Sequence, residues 1–516
     1  MRSCESEVNI WYLDDGTVGG DPKTVLGDFK RILQAVDTLG LQVNSSKCEL
    51  LCVTPTGIGV TEKNSLIAPF KELAPDIKIL QEADFTLLGT PISDLASSQI
   101  LEKKLDDLKL MGEKLQKIDS HDALFLLRHC YAIPKLQYFL RSAPCFKNTG
   151  LLKQYDQQMK DSLENILNVR LEDSAWTQST LPVALGGLGI RLASVLALPS
   201  FLASAHGAEA GMQRLLPENI ALEDYKEISV AETLWSEQLP DAEQPSNKTV
   251  QAEWDSPLYK DTYKSLLEAD IAPVEKSRLL ALAADQASDW LSAIPMPTIG
   301  LKLDNSSLRV AVGLRLGIKL CEPHTCVCGQ LVDPWGRHGL SCKNAKGTHS
   351  RHSQVNDIIK RALASSGTPA VLEPIGLTRS DGKRPDGLTL YPWSGGRCVV
   401  WDYTCRDTLA PSHVAATSQK AGGAAMKAED TKLAVYQELA SNYNVIPVAM
   451  ETLGSRGPRG LKFIREIGSR IADATGEKRT KYFLFQAISM AVQRGNVASI
   501  LGTVPDVKKL DEIFYL

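Results

Sequence analysis

The chain has 516 residues, 43% of them hydrophobic and 23% charged, with eleven cysteines and a net charge of −4. That length suggests three to four domains, no apolar run approaches the ~20 residues of a membrane span, and the polar start from Met1 to Glu7 lacks the pattern of a signal peptide. The odd cysteine count argues against a secreted disulfide framework and for a reducing compartment. From Cys321 onward 25 Lys and Arg face 18 Asp and Glu, against 32 and 43 before it. A basic carboxy-terminal part points to a polyanionic partner, with an unevenly charged solvated surface as the alternative.

The first hydrophobic run (Val8, Ile10, Trp11) enters Tyr12-Leu13-Asp14-Asp15-Gly16. Two adjacent aspartates on a tight turn can present carboxylates to divalent metals, although Asp and Gly also favour plain hairpin turns. Val25, Phe29, Ile32, Leu33 and Val36 recur at helical spacing, and Gly40 closes that helix over Lys23 to Leu39. Val- and Leu-rich strands follow, ending at Phe85-Thr86-Leu87-Leu88-Gly89. Residues 97–200 read as helices, with stripes Leu101, Leu105, Leu108, Leu115, Ile118 and Leu152, Tyr155, Met159, Leu163, Ile166. Gly186-Gly187-Leu188-Gly189 lacks the remainder of a phosphate loop and is taken as a turn. Residues 207–300 are acidic and weakly periodic, which suggests a helical linker with a flexible stretch near Asp241–Thr249.

Between 321 and 352 stand four cysteines and four histidines. Cys326, Cys328, His338 and Cys342 supply four soft or borderline ligands in a short span, which suits a closed, tetrahedral, structural Zn2+ site. Cys321, His324 and His349 are substitute ligands.

Beyond this an α/β pattern appears: helix Val355–Ser365, a strand, hairpin strands over Leu388–Leu390 and Arg397–Asp402, helix Ala424–Ser441, strand Val445–Glu451 and helix Gly460–Ala474. Pro447 directs its strand to an edge or a bulge. Arg384-Pro385-Asp386-Gly387 precedes Asp402 by sixteen residues from Asp386, and the run Cys398–Trp401 before Asp402 reads as a buried strand. Two carboxylates at the ends of paired strands are the minimum for a divalent-metal phosphodiesterase, with Glu373 able to assist. The glycine-rich loop Gly454–Gly460, with Arg456, Arg459 and Lys462, suits DNA phosphates or an ordinary basic helix face.

Taken in order, Tyr12–Asp15, Gly40–Glu49 and Phe85–Pro91 resemble the catalytic hairpin, following segment and primer grip of non-LTR retrotransposon reverse transcriptases. The Cys/His knuckle, Arg351-His352 and the Asp386/Asp402 pair resemble the restriction-enzyme-like PD-(D/E)XK endonuclease of the site-specific branch. The resemblance implies a multi-domain α+β protein: a partial palm over 1–95, a helical thumb over 96–206, an acidic helical linker over 207–320, a zinc knuckle over 321–350 and an α/β endonuclease core over 351–516. It implies Mg2+ at Asp386 and Asp402, with Lys432 as the catalytic lysine one turn before Tyr436, since Thr404 stands where many such nucleases carry lysine. Lys420 and Lys427 are weaker candidates. It implies metal-binding roles for Asp14 and Asp15, and nucleic-acid contacts for Lys47, Arg384, Arg456, Arg459 and Lys462. A target DNA and an element RNA follow from the same resemblance, as does a nuclear location if the protein is functional and an intracellular one otherwise. The family's third polymerase aspartate belongs upstream of Tyr12, so the polymerase region is expected to be incomplete and the chain a fragment. A non-enzymatic nucleic-acid-binding remnant is the alternative.

Overall fold

The computed structural model describes residues 4–53, 60–215, 225–378, 382–505 and 509–515. The chain divides into two compact units, 1–103 and 104–516.

The smaller unit opens with an antiparallel hairpin, β1 (Val8–Tyr12) and β2 (Asp15–Gly19). Asp21 then caps helix α1 (Pro22–Thr38), accepting from Lys23 N at 3.0 Å and Thr24 N at 3.2 Å, with Pro22 in the first turn. Gly40 ends it with φ +72°, and Leu41 N donates back to Val36 O at 3.0 Å. The buried Asp28 carboxylate ties the entering chain to α1 by accepting from Ser6 N at 2.7 Å and Glu5 N at 2.8 Å. Strands β3 (Glu49–Leu51) and β4 (Lys78–Leu80) pair in parallel around α2 (Val60–Leu73), whose Ile67 and Phe70 join Ile32 in a small core. The segment from Phe85 to Pro91 is not one strand but a hairpin, β5 (Thr86–Leu87) and β6 (Thr90–Pro91). Leu88 and Gly89 both take positive φ, the conformation such a two-residue turn demands.

The larger unit begins within α3 (Asp94–Leu115) and continues through α4 (Ser120–Leu126), α5 (Ile133–Ser142), α6 (Thr149–Leu167), α7 (Asp173–Thr180) and α8 (Ala193–Met212). The expected stripes are buried at Leu101, Leu105, Leu108 and Leu115 on α3 and at Leu152, Tyr155, Met159, Leu163 and Ile166 on α6, but Ile118 lies beyond the end of α3 and is exposed. The turn over 183–189 is a hub, because the buried Arg315 donates to the carbonyls of Gly187 and Val183.

The stretch expected to be a linker is a packed helical layer: α9 (Lys226–Gln238), α10 (Gln251–Glu268), α11 (Pro273–Leu282) and α12 (Asn305–Leu316). Trp235, Trp254 and Trp290 are buried within it, and Trp235 meets Trp254 edge-on at 5.2 Å. The turn before α10, expected to be flexible, is pinned. Asn247 N donates to Glu253 Oε2 at 2.8 Å and Trp254 Nε1 donates to Lys248 O at 2.8 Å. Widely spaced tryptophans build a core without the regular apolar period that sequence reasoning detects.

A short hairpin, β7 (His324–Thr325) and β8 (Leu331–Val332), leads into α13 (Arg337–Ser341) and α14 (Lys346–Ser365). Strands β9 (Ala370–Leu372), β10 (Gly387–Thr389) and β11 (Val399–Arg406) follow, then α15 (Pro411–Thr417), α16 (Gly423–Val435), β12 (Asn444–Glu451), α17 (Pro458–Thr475) and α18 (Thr480–Leu501). The sheet runs β12-β11-β10-β9, with β11 and β12 parallel and the other pairings antiparallel. Alternation along β11 sends Val399, Trp401 and Tyr403 into a core with Val355, Ile359 and Leu363 of α14 and Phe463, Ile464 and Ile467 of α17. Asp402 and Thr404 therefore face α16, which approaches closely through Ala425 and Ala428 against Ala449. Pro447 lies on β12, the edge strand of the sheet, as its missing N–H requires.

Candidate active site and metal centre

Asp386 precedes β10, and Asp402 lies in the middle of β11. The two strands pair Gly387 with Trp401, which sets the two aspartates side by side. Gly387 is required there, because a Cβ would overlap the Trp401 indole. Asp402 is buried, and its Oδ1 lies 2.6 Å from Lys432 Nζ. Its Oδ2 accepts from the Tyr436 hydroxyl at 2.5 Å. Lys432 and Tyr436 reach it from one face of α16 and its end, as an i, i+4 spacing allows. Asp386 Oδ2 accepts from Tyr403 N at 2.6 Å and lies 3.1 Å from His352 Nε2 on α14.

Electrostatics point the same way. Burial and then the neighbouring Asp386 charge push the Asp402 carboxyl above the usual carboxylate range, against the pull of Lys432 and Tyr436. His352 is raised because it hydrogen-bonds Asp386. Two neighbouring carboxylates form a hard oxygen donor set, the kind of pair that suits a divalent cation.

The structure thus brings Asp386, Asp402 and Lys432 together. Thr404 lies on the same face of β11 as Asp402, and Lys432 approaches from the helix instead. Lys420 and Lys427 are exposed. Glu373 is drawn away into an ion pair with Arg384, so it does not join the two aspartates and Arg384 is already paired. Sequence reasoning did not find the role of Asn356, which hydrogen-bonds both Trp401 and His352. The signal was its i+4 spacing from His352.

Cys326, Cys328, His338 and Cys342 offer ligand atoms that all lie within 4.8 Å of one another, a set that could bind zinc. Cys326 and Cys342 Sγ are 3.7 Å apart, close to the ~3.8 Å edge of a tetrahedron with Zn–S bonds near 2.3 Å. Cys328 Sγ and His338 Nε2 are 3.1 Å apart. Gly329, with φ +84°, turns the chain between β7 and β8, and α13 delivers His338. The substitute ligands are engaged elsewhere. Cys321 Sγ contacts the carbonyls of Asp333 and Pro334, His324 bonds Glu322 O and Thr503 Oγ1, and His349 is exposed outside the cluster. The knuckle packs on α18, where Gly339 is held against the Ile500 backbone too closely for a side chain.

The predicted nucleic-acid contacts divide. Lys47 and Lys462 are exposed, and Arg459 is half-exposed and paired with Asp430 at 2.7 Å. Arg456 corrects the expectation: its side chain is 2% exposed, lies over the Phe485 ring at 4.8 Å and pairs with Asp289 at 3.5 Å. A phosphate cannot reach it. In the smaller unit Asp14 sits in the two-residue turn and Asp15 opens β2, both exposed, with Leu13 at φ +56°.

No protein-family model matches the chain. Over 502 residues it is 22% identical to the retrotransposable element SLACS 132 kDa protein of Trypanosoma brucei gambiense. The similarity supports a retrotransposon origin. It covers 94% of this chain but 36% of that protein, so the chain spans about a third of its relative's length.

Proposed function

We propose that the larger unit is a divalent-metal-dependent DNA-nicking endonuclease, in a retrotransposon-derived protein whose smaller unit belongs to an RNA-directed DNA polymerase region. The observation that carries this reading is the convergence of Asp386, Asp402 and Lys432 from β10, β11 and α16. Asp386 and Asp402 would hold Mg2+. When bound, Mg2+ supplies charge to a phosphate in transition and lowers the pKa of an attacking water. Lys432, released from Asp402, orients that water or a phosphate oxygen, and Tyr436 keeps Asp402 in place. The partners are a target DNA and the RNA of the element. In the larger unit the exposed Lys462 is the basic side chain best suited to a DNA phosphate, with Arg384 and Arg459 available once they leave Glu373 and Asp430; Lys47 would serve in the smaller unit.

Incubation of the full chain with supercoiled plasmid and Mg2+ should produce nicked circles, and Asp386→Ala or Asp402→Ala should abolish them. A second reading, a non-enzymatic nucleic-acid-binding remnant, draws on the Lys432–Asp402 ion pair, which already neutralises one carboxylate. A plasmid that stays supercoiled across salt and metal conditions, yet is bound, favours that second reading.

A further inference from the structure

His352 and Asn356 stand one turn apart on α14 and share a face. Trp401 Nε1 lies 3.0 Å from Asn356 Oδ1. An indole nitrogen can only donate, so the amide oxygen faces Trp401 and the amide nitrogen faces His352. Asn356 Nδ2 lies 3.4 Å from His352 Nδ1. An amide nitrogen cannot accept, so Nδ1 does, and the single proton of the neutral ring sits on Nε2. That nitrogen lies 3.1 Å from Asp386 Oδ2. The same oxygen accepts from Tyr403 N at 2.6 Å.

The start of this relay is immobile. Trp401 is fully buried in the sheet core, and Gly387 leaves room for its indole. The His352 ring packs against Tyr403 with centroids 5.6 Å apart. A fixed indole therefore sets an amide, the amide sets an imidazole tautomer, and the imidazole sets a carboxylate. Both donors converge on one oxygen of Asp386, so the other is the one presented to a metal.

We infer that His352 is a positioning residue for the metal-binding carboxylate Asp386, with its tautomer dictated by Asn356 and Trp401. The inference rests on reading Asp386 and Asp402 as a metal pair. Partners that orient a metal ligand typically change metal affinity 10–100-fold when removed. His352 is thus a donor to Asp386, whatever phosphodiester the site takes.

Mn2+ binding to the zinc-loaded full chain, followed by electron paramagnetic resonance, tests this without DNA. His352→Leu should weaken Mn2+ binding about tenfold. His352→Gln, whose amide can still donate to Asp386, should restore affinity to within about threefold of the unmodified chain. A space-filling role would be served by leucine as well as by glutamine, so equal affinity of the two variants overturns the inference. Nitrogen-15 spectra of histidine-labelled protein, taken on the alkaline plateau of the ring's titration where it carries one proton, should show the Nε2–H form for the resonance lost in His352→Gln. They should show a mixture of forms in Asn356→Leu. An Nδ1–H form in the unmodified chain overturns the relay. Failure of the underlying metal site looks different: Mn2+ binding would then be unchanged by Asp386→Ala.

Discussion

Lys432 Nζ lies 2.6 Å from Asp402 Oδ1, so the lysine of this site arrives from helix α16 rather than from the strand that carries the aspartate. Thr404, two residues beyond Asp402, occupies the same face of β11. Lys432→Ala should lower nicking by about two to three orders of magnitude, the usual cost of a charge-stabilising donor. Adding Thr404→Lys to that variant should return a measurable part of the rate, because a lysine there reaches the same carboxylate. Single-turnover nicking of plasmid compares the three proteins. A double variant no faster than Lys432→Ala would show that the helix position itself is essential.

Arg456 in the loop after β12 and Lys462 on α17 should behave differently. Arg456→Ala leaves the Asp289 carboxylate without its buried partner and should destabilise the fold by about 3 kcal/mol. It should leave the salt dependence of DNA binding unchanged. Lys462→Ala should keep the stability and reduce the slope of log affinity against log salt by about 1. Denaturant melts and DNA titrations over several salt concentrations separate these outcomes.

Zinc should be a structural component of the larger unit. The cluster lies between β7 and α14, and α14 bears His352 and Asn356. Metal analysis of the purified chain should give zinc, and Cys326→Ser or Cys342→Ser should remove it and lower the melting temperature. Chelation should do the same reversibly, since a metal that binds only the folded form stabilises it by mass action. A chain that melts identically with and without zinc would sink this assignment.

Acid should loosen the contact between α4 and the segment before α12. His121 is buried, its Nδ1 accepts from Leu303 N at 3.0 Å, and burial lowers its pKa to about 4. The folded value lies below the unfolded value of about 6.5, so the unfolded chain binds the extra proton first. The contribution is complete above about pH 6.5 and is lost as pH falls through 4. The full loss is about 3 kcal/mol. His121→Gln should flatten the stability profile over that window in melts between pH 4 and 7.

The sequence by itself determined the local devices. The i, i+4 pair Lys432 and Tyr436, the alternation through Trp401 and Asp402, and the spacing of Cys326, Cys328, His338 and Cys342 are short-range patterns, and short-range patterns are set by helix and strand periods. The turn at Asp14 and the cap at Gly40 are legible for the same reason. Tertiary structure decided everything that depends on distant neighbours. Arg456 is withdrawn from solvent by Asp289 and Phe485, 167 residues before it in one case. Glu373 is taken by Arg384, and Trp235, Trp254 and Trp290 turn an acidic, aperiodic stretch into a packed layer. Asn356 gains its meaning only because Trp401 comes to rest beside it. Burial and pairing are properties of the assembled chain, whereas period and spacing belong to the residues in sequence.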